Sequence, residues 1–144
     1  MTGIRPMVEA DAGRVADLTT QLGYPADART LSMRLAEVRI RVADEVLVAV
    51  DADDVAIGWI HVARLALLEV SDLACINGLV VDEHHRSGGI GTELVEAAEA
   101  WARDHGARAI MVRSRSARVR AHAFYEHRGY VEIKRSHVFE KPHV

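Results

Sequence analysis

One stretch restricts this chain more than any other: an apolar run enters a glycine-rich turn and leaves it as a helix. Leu79-Val80-Val81 ends the run, Arg86-Ser87-Gly88-Gly89-Ile90-Gly91 makes the turn, and apolar spacing predicts an amphipathic helix from Thr92 to His105. Gly88, Gly89 and Gly91 carry no Cβ, so the backbone bends sharply there and its N–H groups come close to a ligand. Amides in a helix's first turn have no partner within the helix. With the positive end of the macrodipole they attract phosphate. Arg86 adds a fork-shaped donor whose charge is permanent.

Three glycines in a turn also occur for steric reasons alone, so the surrounding pattern has to select the ligand. A dinucleotide fingerprint, G-x-G-x-x-G, fails because its third glycine, counted from Gly89, falls on Leu94. A Walker A loop fails because Gly91-Thr92 has no Lys before the Thr. What remains is R-x-x-G-x-G after a strand reading L-V-V-D-E. Residues 76–94 thereby resemble the acetyl-CoA-binding motif of the GNAT superfamily of N-acetyltransferases. Ala121-His122-Ala123-Phe124-Tyr125-Glu126-His127-Arg128-Gly129-Tyr130 resembles the second motif of the same superfamily, A-x-x-F-Y-E-x-x-G-F/Y. The resemblance runs from about residue 71 to 141 and weakens before that.

The 144 residues, 49% hydrophobic and 27% charged, suit a single soluble domain over 1–144. No apolar stretch approaches the roughly 20 residues that span a bilayer, so no membrane partner is expected. The opening Met1-Thr2-Gly3-Ile4-Arg5-Pro6 lacks the apolar core of a secretory signal, which points to the cytoplasm. The single cysteine, Cys75, excludes an internal disulfide and a multi-cysteine zinc site. It lies in an apolar strand and reads as packing; no metal is expected. Residues 113–144 hold eight Lys and Arg against three Glu, which leaves a net −8 for residues 1–112. Solvated faces account for this; a basic tail facing an anionic cofactor, with an acidic front drawing a cationic acceptor, is the functional reading. No nucleic-acid motif is present, and none of that charge is concentrated enough to expect one as partner.

Periodicity predicts a strand over 3–8, a helix from Glu9 to Gly23, a helix over 27–39, and a hairpin of strands 46–50 and 55–68 about Asp51-Ala52-Asp53-Asp54. A strand over 71–81, the helix after the glycine turn, a strand over 109–112, a helix over 117–127 and one or two strands over 130–140 follow. Spacing alone gives a mixed α/β sheet. The resemblance implies the GNAT fold: a mixed, mostly antiparallel central sheet with splayed central strands, flanked by helices on both faces.

It also implies chemistry. Acetyl-CoA is the implied cosubstrate, with a small-molecule amine as acceptor, of aminoglycoside-like or polyamine type, by direct transfer in a ternary complex. Main-chain groups of Leu79, Val80 and Val81 would pair with the pantetheine and polarise the carbonyl. Arg86, Ser87, Gly88, Gly89, Ile90, Gly91 and Thr92 would hold the diphosphate. Tyr125 matches the tyrosine that protonates the leaving sulfur; a phenol pKa near 10 lies close enough to a thiol's 8.5 for that transfer. Where other members carry a glutamate base this chain has Cys75, so Asn77, two residues on, is the candidate to hold a relaying water. Glu69 and Asp72 are alternatives, as is a water without a dedicated base. His84, His85, His105 and His127 read as surface turns or helix ends; His122 and His137 stay open. At the start of the last helix, where an asparagine is common in the family, the chain reads Ser114-Arg115-Ser116-Ala117-Arg118. A homodimer is the implied assembly. The rival reading is a module that binds acyl-CoA without turning it over, or an enzyme acting on protein N-termini.

Overall fold

A five-stranded sheet carries the first part of the chain. A computed structural model describes residues 3–41, 43–86, 88–114 and 119–143, and the chain divides into two units, Met1–Arg113 and Ser114–Val144. In the first unit the order is β1 (Gly3–Pro6), a 3-10 turn, α1 (Ala12–Gln21), α2 (Ala28–Ile40), β2 (Asp44–Val50), β3 (Ala56–Arg64), β4 (Leu73–Val81), a second 3-10 turn, α3 (Ile90–Asp104) and β5 (Ala109–Val112). The sheet runs β1-β2-β3-β4-β5. Its first four strands are antiparallel to their neighbours, and β5 joins β4 in parallel.

Strand alternation divides the core between the two faces of this sheet. Val46, Val48 and Val50 of β2 pack with Val15, Leu18 and Leu31 of α1 and α2, and Trp59 of β3 joins them. On the other face α3 comes close. A Cβ at Gly58 would stand 3.0 Å from the Val80 carbonyl and 3.2 Å from Leu94 Cδ1, so glycine there sets how near α3 approaches. Ile90, Leu94, Val95, Ala98 and Ala102 are the buried stripe of α3. Each fully buried aliphatic side chain of this kind contributes about 1.5–3 kcal/mol, which holds the helix and the turn before it against the sheet.

Local chemistry sets the element ends. Asp27 caps α2 by accepting from the Thr30 amide at 2.8 Å. Asp51 closes the β2–β3 hairpin, its Oδ1 accepting from the amides of Asp53 and Val55 at 2.9 and 3.0 Å. Gly23, with φ at +105°, ends α1. The sequence places the first helix from Glu9, but Glu9–Asp11 is a 3-10 turn, fixed by Asp11 accepting from the Val8 amide at 2.8 Å. The second hairpin strand stops at Arg64 rather than at 68, because the Leu67 amide donates to Val70 O and closes a turn.

The second unit contains α4 (Val119–His127), ended by Gly129 at φ +88°. The strands expected over 130–140 are absent among the described residues. Val131, Ile133, Val138 and Phe139 are all exposed. The alternation that suggested strands is real, but a strand also needs a hydrogen-bonding neighbour, and the described residues supply none there.

Candidate active site

Two features of β4 make the site. The first is its loss of a neighbour. β5 pairs with β4 only from Leu73↔Ala109 to Ile76↔Val112, so from Asn77 to Val81 the strand has no β5 partner. The splay implied by the resemblance therefore begins at Asn77, and the main-chain groups of Leu79, Val80 and Val81 lie along that open stretch. The second is a bulge. In the pairing with β3, His61 faces Gly78 and Val62 faces Ile76, which leaves Asn77 as the extra residue.

Asn77 stands two residues beyond Cys75, as the unpaired residue of that bulge. Cys75 is 2% exposed, whereas Asn77 is exposed and lines a cavity of about 400 Å³. Burial raises the Cys75 thiol pKa, with Arg113 pulling weakly the other way, so the group stays a packed neutral thiol. The cavity wall opposite β4 is the end of α1 and the following turn, with Thr19, Leu22, Gly23, Tyr24 and Pro25, together with Arg34 of α2. Trp59 floors it. A Cβ at Gly78 would fall 2.7 Å from the Trp59 ring, so only glycine lets the indole lie across β4 at that point. None of the acids of residues 1–112 lines this cavity among the described residues, so the acidic surplus of the front half is not gathered there.

The glycine turn leads into α3 as the sequence suggested, with the helix beginning two residues earlier than predicted. Gly89 is the cap residue, in the left-handed region at φ +82°. The Glu93 amide donates to Gly89 O at 3.0 Å, so the amides of Ile90 and Gly91 precede that first intrahelical bond. A Cβ at Gly89 would meet nothing within 4 Å, so the approach to these amides is open. Ile90 itself is buried and anchors the turn. Arg86 is exposed, and its Nε donates to Val81 O at 3.3 Å, which ties the end of β4 to the turn. An open run of main-chain amides, a capping glycine with clear approach and an exposed arginine fit a diphosphate with an extended arm. Ser87 lies outside the described residues, as do Arg115 to Arg118 of the corner where the sequence departs from the family.

The sequence reading passed over Asp82, which holds this turn in place. It is buried and accepts from Arg14 Nη2 at 3.0 Å, from Gln21 Nε2 at 3.4 Å and from the His84 amide at 3.2 Å. Burial pushes its pKa up, but the His84 amide, Gln21 and Arg14 outweigh that and keep it below the usual carboxylate range. L-V-V-D-E gave a clue only to a strand end. His61 was missed too: its Nε2 lies 2.9 Å from Asp44 Oδ2, and it stands two residues from Trp59, on the same face of β3. Glu69 and Asp72 lie in the β3–β4 connection, where Asp72 pairs with Arg108 at 2.7 Å. His84, His85, His105 and His127 are exposed in turns or at helix ends.

Tyr125 belongs to the second unit. It is the buried residue of α4 and packs edge-on to Phe124 and Tyr130, with ring centroids 5.2 and 5.6 Å away. Among the described residues no group of three or more His, Cys, Asp or Glu could hold a metal ion, and no helix is long and apolar enough to cross a membrane.

The Acetyltransferase (GNAT) family profile matches residues 16–130. An aminoglycoside N(6')-acetyltransferase type 1 from Stenotrophomonas maltophilia is 31% identical over 144 residues, which cover 96% of this chain and 92% of that protein. Among solved structures, an aminoglycoside antibiotic 6'-N-acetyltransferase from Acinetobacter baumannii superposes with a TM-score of 0.83 at 20% identity and covers all of both chains. An aminoglycoside N-acetyltransferase in complex with CoA gives 0.84 at 19% identity, covering 98% of this chain and 95% of that one. With motifs and sheet in agreement with these matches, this chain belongs to the GNAT family of acetyltransferases and is an acetyl-CoA-dependent N-acetyltransferase.

Proposed function

We propose that this enzyme acetylates a primary amine of a small molecule by direct transfer within a ternary complex. The observation that carries the reading is β4 itself: past Ile76 it loses β5, and that open stretch runs from the cavity at Asn77 to the glycine turn before α3. The relative from Stenotrophomonas maltophilia, named for a small-molecule acceptor, supports a small amine over a protein N-terminus. Acetyl-CoA supplies an acetyl thioester. The amine nitrogen bonds to the acetyl carbon, the carbon–sulfur bond breaks, the nitrogen gives up a proton and the sulfur gains one.

Each role falls to a named group. Amides at the start of α3 and Arg86 hold the diphosphate, and main-chain groups of Leu79 to Val81 align the arm and polarise the carbonyl. Asn77 holds a water in the cavity that takes the amine's proton. Tyr125 donates to the departing sulfur. The test is initial-rate kinetics of thiol release with both substrates varied. Direct transfer gives intersecting double-reciprocal lines; parallel lines, the sign of an acetylated enzyme, would contradict it. Acetyl-CoA binding without thiol release from any amine would favour the sensor reading instead.

A further inference from the structure

We propose that the acceptor amine also bears an anionic group, in the simplest case a carboxylate, and that Arg34 binds it. The inference rests on the acetyl-transfer reading above and specifies its acceptor. Arg34 is the one charged side chain among the described residues lining the cavity. It is exposed and makes no hydrogen bond or ion pair among the described residues. Several other arginines of this unit are engaged. Arg5 holds Asp11, Arg14 holds Asp82, Arg39 holds Glu45, and Arg108 holds Asp72. An arginine on a cavity wall with no carboxylate of its own keeps its donors for whatever enters.

A guanidinium suits a planar oxyanion, to which it gives two parallel N–H···O bonds. A polycation entering the same cavity would meet that charge with no lining acid to offset it. The volume points the same way. About 400 Å³ lies toward the lower end of the roughly 300–1,000 Å³ typical of ligand pockets, which suits a compact acceptor. Trp59 and Tyr24 give the remainder of such a molecule an aromatic surface to lie against. The similar acetyltransferases are named for aminoglycosides; the acceptor proposed here is smaller and of mixed charge.

The experiment measures thiol release by the full chain with acetyl-CoA and three acceptor sets: proteinogenic α-amino acids, their methyl esters, and polycations represented by neamine and spermidine. Free amino acids are expected to give the highest kcat/KM. In Arg34→Ala the acid-to-ester ratio of kcat/KM for the best acceptor should fall about tenfold or more, through KM for the acid. Comparing that ratio between the parent enzyme and Arg34→Ala cancels the different basicity of the ester's amine. Arg29→Ala, an exposed arginine outside the cavity lining, should leave the ratio as it is. A higher kcat/KM for the polycations, or an unchanged ratio in Arg34→Ala, would overturn the proposal while leaving the acetyltransferase intact. Thiol release from none of the three sets, with acetyl-CoA still bound, would remove the small-amine reading and this inference with it.

Discussion

At the scale of single residues, the surroundings of a side chain decide what it does. Cys75 illustrates the negative case: it is buried as a neutral thiol, and in the proposed mechanism proton removal falls to Asn77 and its water instead. Tyr125 is the positive case. Replacing it with Phe keeps the ring that packs on Phe124 and Tyr130 and deletes only the hydroxyl, the proton donor of the proposed mechanism. Tyr125→Phe should therefore lower kcat by about 10²-fold or more, with its pH profile losing the alkaline limb; unchanged turnover across pH would show that another group protonates the sulfur. Asp82 makes a prediction about stability. Its folded pKa lies below the ordinary Asp value near 3.9, so its contribution is complete above that value and fades as pH falls through the lower folded one. Asp82→Asn should thus cost about 1–3 kcal/mol at pH 7, measured by urea unfolding, with the gap to the parent protein closing below about pH 4.

At the scale of elements, α3 and β4 are placed by close approach, and Gly58 governs it. A Cβ there is 3.0 Å from a backbone carbonyl, which has little room to yield. Gly58→Ala should cost about 1–3 kcal/mol in urea unfolding and weaken acetyl-CoA binding, because the turn moves with the helix; a neutral effect on both would mean that the helix is positioned otherwise. The helix and strand were legible in the sequence, since Leu94, Val95 and Ala98 recur at helical spacing and an apolar run ends in Leu79-Val80-Val81. The bulge was not. Nothing in Cys75-Ile76-Asn77-Gly78 marks Asn77 as the unpaired residue; that follows from how β3 and β4 register around Trp59, a long-range fact. The expected strands over 130–140 failed for the complementary reason, because alternation is a local signal and strand pairing is not. Trp59, Arg34 and Asp82 escaped notice because each owes its role to neighbours distant in sequence, such as Gly78 for the indole and Arg14 for the carboxylate.

At the scale of the whole molecule, the proposed mechanism gives β4 a part at both ends of the reaction. Asn77 at its bulge lines the cavity, and its far end leads to the turn whose amides are proposed to hold the diphosphate. Acids of residues 1–112 such as Asp11 and Glu45 pair with Arg5 and Arg39, and none lines this cavity among the described residues. The measurement closest to the central claim is calorimetric titration of the full chain with CoA, set beside pantetheine, which has the extended arm without the diphosphate. Saturable binding of CoA at one site per chain, with pantetheine weaker by at least about 10²-fold, is the predicted result. No saturation with CoA, or pantetheine binding equally well, would contradict the claim that amides at the start of α3 grip the diphosphate.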